Sequence, residues 1–271
     1  MCRSHIVWLS RCLSEVTPLQ LNHNTVLLPA LSPSPLHISV VALVSLFDTA
    51  LDCFKRVKVA KSFGSDYQTY VLRLQNLRLR FSRWGEAVGL GKQSTAVDQP
   101  TTNALSESEV KQAEAVVGHI IRLFSDTEEL AAKYADKQSD LVVMDEDAGS
   151  LSDVGKLCQK MREMCLRRQR ESSLATKAKW SLFSKEKFIE LVSSIQSLVG
   201  DLVNLFPAET RVSVEQNLCE QEARELRNEK ALPALQTLAL TQDVRLAEAI
   251  AKLAQGVRVP DHVIMDRDST D

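Results

Sequence analysis

The stretch Tyr67-Gln-Thr-Tyr-Val-Leu-Arg-Leu-Gln-Asn-Leu-Arg-Leu-Arg-Phe-Ser-Arg-Trp-Gly-Glu-Ala-Val88 decides the fold. Its large apolar residues Tyr67, Tyr70, Leu74, Leu77, Phe81, Trp84 and Val88 step by three and four throughout. That spacing puts seven side chains on one stripe of a helix. Ser65 or Asp66 suits the N-cap, and Gly89 and Gly91 suit the stop.

Upstream lies the apolar run Ile38-Ser-Val-Val-Ala-Leu-Val-Ser-Leu-Phe47, followed by Asp48-Thr-Ala-Leu-Asp-Cys-Phe54. About a dozen residues at ~1.5 Å rise span roughly 18 Å, short of the ~30 Å bilayer core. The run therefore reads as a buried core helix and not as a standing transmembrane helix. It is still the most membrane-compatible segment of the chain. Asp48 and Asp52 are four apart and share a helix face. Lys55, Arg56, Lys58 and Lys61 follow directly. The acids belong either to a plain salt-bridge network or to a latch that holds the apolar helix in place.

Downstream, residues 91–103 read as a loop. Ser106-Glu-Ser-Glu109 offers a capping box to a helix carried by Val110, Ala113, Val117, Ile120 and Phe124, running to about Lys137. Asp140-Leu-Val-Val-Met144 is a candidate strand or extended plug. Another helix begins at Ser152, with Val154, Leu157, Met161, Met164 and Cys165 inward, and ends in Arg162, Arg167, Arg168 and Arg170. Phe188, Leu191, Ile195, Leu198, Leu202 and Leu205 form an a/d heptad pattern closed by Pro207, suited to antiparallel bundle packing or to dimerisation. Ser213 and Gln216 read as a second capping box for a helix with a face rich in Glu220, Glu222 and Glu225. Leu232 to Ala254 reads as one weaker helix, and 255–271 as a frayed tail.

The bulk figures agree with a helical globular domain. The 271 residues are 44% apolar and 25% charged, with 5% aromatics and nine glycines. Leu, Ala, Glu, Lys and Arg favour helix over sandwich. The net charge of −2 gives no global pull toward nucleic acid or anionic lipid. Nine bases stand against three acids between Leu51 and Lys92, either a solvated face or one able to meet anionic headgroups. Six cysteines without CxxC or zinc spacing fit a reducing compartment, and Cys158 and Cys165, one heptad apart, fit one buried face. The first 35 residues show no period and contain Pro33 and Pro35. They faintly resemble a mitochondrial presequence, with Arg3 and Arg11 before Glu15, and read as a disordered or mispredicted extension.

Chemistry-bearing motifs are missing. Gly85-Glu-Ala-Val-Gly-Leu-Gly-Lys92 fails as a P-loop: Glu86 stands where the first Gly is needed, four residues intervening before Gly91, and Gln93 replaces the Ser or Thr. The five histidines are far apart, without HExxH, and no nucleophile turn occurs. No enzyme activity, cofactor, metal or nucleic-acid partner is expected.

Leu46–Phe54, Phe63-Gly-Ser-Asp-Tyr67, Leu72–Val88, Asp140-Leu-Val-Val143 and Ser173-Leu-Ala-Thr-Lys-Ala-Lys-Trp180 together resemble the HeLo domain, the prion-inhibition and propagation domain of filamentous fungi. Ser82-Arg-Trp-Gly-Glu-Ala-Val88 is the most specific block, and the likeness runs from about Leu36 to Leu226. The resemblance implies an all-α fold: a single multi-helix bundle with at most a very short β-element. It implies a cytoplasmic cell-death effector of heterokaryon incompatibility, conditionally associated with membranes. In such effectors an N-terminal apolar helix leaves the bundle and enters lipid. By match that helix carries Ile38, Val40, Val41, Leu43, Val44, Leu46 and Phe47. Asp52, with Asp48 beside it, takes the acidic latch position, and Ser62 lies in the turn that tunes activity. Tyr67, Trp84, Gly85, Glu86 and Trp180 are the signature core. Membrane lipid, a homo-oligomer and an upstream sensor are the implied partners.

The pattern is broken at both ends. Residues 1–35 precede the apolar helix, no glycine falls between Leu36 and Gly64, and the charged tail leaves no room for amyloid repeats. The expected organisation is an extension over 1–35, the helical domain over 36–230, and a C-terminal helix with frayed tail over 231–271. The alternative function is a helical interaction or regulatory module without membrane activity.

Overall fold

The computed structural model describes residues 35–59, 63, 66–92, 105–135, 152–170, 180–182, 184–205 and 208–256. The N-terminal extension, Lys61, Ser62, the candidate strand at 140–144 and the tail beyond 256 lie outside the described residues. Within them the chain forms α1 (Pro35–Arg56), β1 (Val57–Val59), α2 (Tyr67–Ala87), α3 (Glu107–Ala135) and α4 (Asp153–Arg168). It continues as β2 (Trp180–Leu182), α5 (Lys185–Asn204), α6 (Ala208–Leu226), α7 (Leu232–Gln242) and α8 (Val244–Ala254). The all-α expectation holds. The short β-element is the parallel pair β1–β2, with Val57 opposite Trp180 and Val59 opposite Leu182.

Helix α2 is the axis of the domain. Leu74, Leu77, Phe81 and Trp84 enter a core shared with α1, α3 and α5. Leu72 and Leu79, on another face, enter a second core made by α4, α6, α7 and α8. Gln75, Asn76, Arg78, Ser82 and Arg83 are buried as well. The predicted stripe is thus one face of a helix enclosed on several sides, a burial pattern that belongs to a central element and not to a surface one.

Local signals set most boundaries. Past α2, Gly89 adopts φ 81°. Its N–H bonds the Glu86 carbonyl, and the Leu90 N–H bonds that of Gly85. This is the left-handed glycine stop that the sequence calls for. Ser106 and Glu109 form the capping box reciprocally, at 2.6 and 3.4 Å. Ser152 Oγ accepts from the Gly155 amide at 2.9 Å and starts α4, and Cys158 and Cys165 are both buried in the second core.

Three expectations are corrected. Helix α6 begins at Ala208, so Ser213 is interior to the helix and does not start it. The segment 232–254 is two helices, because Asp243 (φ −157°, ψ 69°) breaks the helical run. The heptad stripe of α5 is only partly inward. Phe188, Leu191, Ile195 and Leu202 are buried, but so are Val192, Val199 and Val203, while Leu198 and Leu205 are half-buried. A 3.6-residue helix drifts off a strict 3.5 repeat.

Candidate functional site: the seat of the first helix

Helix α1 buries Leu43, Phe47, Ala50, Leu51 and Phe54, each at most 1% exposed. These positions repeat at three, four and seven, giving one continuous apolar face. Val40, Val44 and Leu46 are half-buried against the same core. Val41 is 65% exposed, so the apolar run is not wholly sequestered. Ile38 lies within the helix. The helix is also longer than the apolar run suggests. Its 22 residues give about 33 Å at 1.5 Å per residue. Its second half, however, carries Asp48, Asp52, Lys55 and Arg56. No helix among the described residues is long and apolar enough to cross a membrane.

The Trp-Gly-Glu block of α2 builds the seat. Phe47 packs 5.0 Å from the Phe81 ring and edge-on to Trp84 at 6.1 Å, and Phe81 stacks on Trp84 at 5.7 Å. Phe54 completes the cluster against Phe124 of α3 at 4.9 Å. The ring of Phe47 lies directly over Gly85. A Cβ placed on Gly85 would lie 2.9 Å from Phe47 Cε1 and closer still to Cζ and Cε2. The glycine is therefore required by the approach of this ring, not by backbone conformation. Glu86 lies against Gly91, where a Cβ would collide with its carboxylate. Burial raises the Glu86 pKa and Arg168 opposes that shift. Tyr67 and Trp180 are half-buried against the first core, away from Gly85 in the fold's plan: Tyr67 opens α2 and Trp180 opens β2.

The acids of α1 meet the chain just beyond α4. The Gln169 side-chain amide donates to Asp52 Oδ1 at 2.7 Å and to the Asp48 carbonyl at 3.2 Å. Lys55 Nζ sits 2.8 Å from the same Asp52 oxygen. Arg56 pairs with Glu128 of α3. The expected network is present for Lys55, but its decisive partner, Gln169, is neutral and remote in sequence. Asp48 is half-buried and its pKa is pushed up to about 6. Burial is the main cause, opposed by the backbone amide and charge of Arg170 and reinforced by Asp52.

This shift has a sign. A carboxyl whose folded pKa lies above its unfolded value binds its proton more readily in the folded state, so stability falls as pH rises through that window. Asp48→Asn is expected to unfold at a higher temperature than the parent at pH 7, with the difference closing below about pH 4, where Asp48 is protonated in both folded and unfolded chains. Thermal melts of both proteins across this range check it, and a constant difference at every pH would contradict it.

Sequence reasoning missed a buried ionic chain behind the seat. Arg83, fully buried, donates to both oxygens of Asp243 at 3.0 and 2.7 Å and to Glu222 at 3.0 Å. Arg168 reaches Glu222 at 2.5 Å and Ser82 Oγ at 3.3 Å. Burial works against charge on Arg83, but Asp243 and Glu222 outweigh it and hold its pKa above the usual value. The helix break at Asp243 is what lets this carboxylate face Arg83. Through this chain the Ser82–Glu86 block is tied to α4, α6 and the α7–α8 junction.

The chain matches the HeLo family model, prion-inhibition and propagation, over residues 36–235. It is 31% identical over 216 residues to heterokaryon incompatibility protein s of Podospora anserina, covering 78% of this chain and 71% of the relative. Heterokaryon incompatibility protein S of Podospora anserina is 29% identical over 226 residues, covering 81% and 74%. Among solved structures, the HET-S N-terminal domain superposes with TM-score 0.68 at 28% identity, covering 83% of this chain and all of that one. A double mutant of the HET-s N-terminal domain gives 0.67 at 28% identity, covering 79% and 98%. A helical domain centred on this Trp-Gly-Glu seat, matched over most of its length, makes the chain a member of the HeLo family, alongside the heterokaryon incompatibility proteins.

Proposed function

We propose that the chain is a cell-death effector of the incompatibility type, silent while α1 is seated and acting on membranes when α1 is released. The observation that carries this reading is the construction of α1. One face holds Leu43, Phe47, Leu51 and Phe54 out of water, and the polar end is held by Gln169 and Glu128 from other elements. Release would free an amphipathic helix of 22 residues with bases at its end, a form that lies in or enters a lipid interface. Asp48 and Asp52 act as the latch, and Ser62, outside the described residues, tunes activity. Anionic lipid is the partner on activation, with self-association and an upstream sensor as the means of triggering.

Dye release from vesicles containing phosphatidylserine tests the reading with the full chain. The parent is expected to leak little, and Gly85→Val, which unseats Phe47, to leak severalfold more. If Gly85→Val exposes α1 to hydrogen exchange and yet releases no dye, the reading fails. A second reading, a dimerising module built on the α5 heptads, loses its main support. Phe188, Leu191, Ile195 and Leu202 are already buried within their own domain.

A further inference from the structure

Between β1, the first half of α2 and the first turns of α4 lies a cavity of about 190 Å³. Its walls are largely apolar, with Val57, Val59, Val71 and Leu74 among them. Polar side chains interrupt them, Lys58, Gln68, Gln75, Ser152 and Arg162 among them. Gln75 lines the cavity, is 4% exposed, and its Oε1 has no hydrogen-bond partner. No bond holds the Gln75 amide, so its Nε2 is available to donate. Arg162 lines the cavity half-buried and forms no ion pair with any described residue. The start of the 16-residue helix α4, with Ser152 and Gly155, supplies the positive end of a helix dipole at the same wall.

A buried amide without a partner and a half-buried guanidinium without a counter-ion are both costly arrangements, uncommon unless something satisfies them. Two other inward arginines, Arg83 and Arg168, each face carboxylates. At Arg162 the missing partner is an anion, and the surrounding walls ask for an apolar body. The volume is slightly above the ~150 Å³ that admits a benzene ring, which corresponds to a body of about six to eight carbons.

We infer that this cavity binds a monocarboxylate with a short apolar chain, its carboxylate on Arg162 and Gln75 and its chain against the valines of β1 and α2. The inference stands independently of α1 release.

Titration of the full chain with 13C-labelled octanoate, followed by NMR, tests it. Octanol and inorganic phosphate serve as controls lacking the charge or the chain. Saturable octanoate binding is expected, with neither control competing. Arg162→Met, which keeps the apolar stem, and Gln75→Leu, which keeps the bulk, are each expected to weaken it at least tenfold without lowering the melting temperature. Absence of saturation in the parent overturns the proposal. So does equal binding of octanol, equal binding of phosphate, or octanoate affinity unchanged in both variants.

Discussion

Replacement of Arg83 by methionine is expected to destabilise the domain by about 3–5 kcal/mol, the usual consequence of removing one partner from a buried ion pair. Arg83 is fully buried and faces two acids, Glu222 and Asp243, which are 0% and 3% exposed. Methionine keeps much of the stem but leaves Arg168 as the sole cation of the group. A loss of this size is a large share of the ~5–15 kcal/mol that holds an ordinary domain together. The cause is the stranded charge and not the lost contact, which gives the prediction its control. Adding Glu222→Gln and Asp243→Asn to Arg83→Met removes the surplus negative charge and is expected to recover a substantial part of the loss. Urea unfolding midpoints for the single and triple variants check both halves. If the triple variant is the weaker, the charge argument is wrong.

Gly85→Ala is expected to destabilise by about 2–4 kcal/mol, although alanine in a helix interior is favoured over glycine by ~1 kcal/mol. The added methyl overlaps the Phe47 ring. Either the ring stays and the core is overpacked, or it leaves and its buried contacts go with it. Gly118 and Gly200 supply the contrast. Both are helical, and a Cβ on either meets nothing within 4 Å. Alanine there is expected to stabilise by about 0.5–1 kcal/mol. Phe47→Ala alone is expected to lose ~3–5 kcal/mol. Combined with Gly85→Ala it should lose distinctly less than the sum, because the methyl then fills vacated space. Urea denaturation of the parent, the two single variants and the double completes the cycle, and strict additivity would show that the two residues do not share one site.

The same two residues show what the sequence makes legible. Phe47 and Trp84 sit on apolar runs with helical spacing, so their inward direction could be read without coordinates. Their contact, and Gly85's part in it, required knowing which two helices cross there. The second face of α2 was hidden for a different reason. Leu72 and Leu79 alternate with Asn76 and Arg83, and a face bearing Arg and Asn looks solvated. It turns inward because Glu222 and Asp243, 139 and 160 residues away, supply the opposite charge. Glu222 in turn lies among acids and glutamines that read as surface. Gln169 is hidden in the same way: nothing near it in sequence marks it as the donor that holds Asp52. Local patterns specify elements and faces, whereas pairing of buried polar groups is a property of the finished packing.

The distances along the chain between partners at the seat bear on how this protein is made. Asp52 and its donor Gln169 are separated by 117 residues. At a synthesis rate of ~5–20 residues per second, the first helix leaves the ribosome on the order of ten seconds before the residue that will hold its carboxylate exists. Phe47 and Phe54 can meet Phe81, Trp84 and Phe124 earlier, so for that interval the apolar face of α1 has its partners while Asp52 lacks its Gln169 donor. Polypeptides cut short before α4 would carry the apolar seat of the first helix without the contact that holds its polar end.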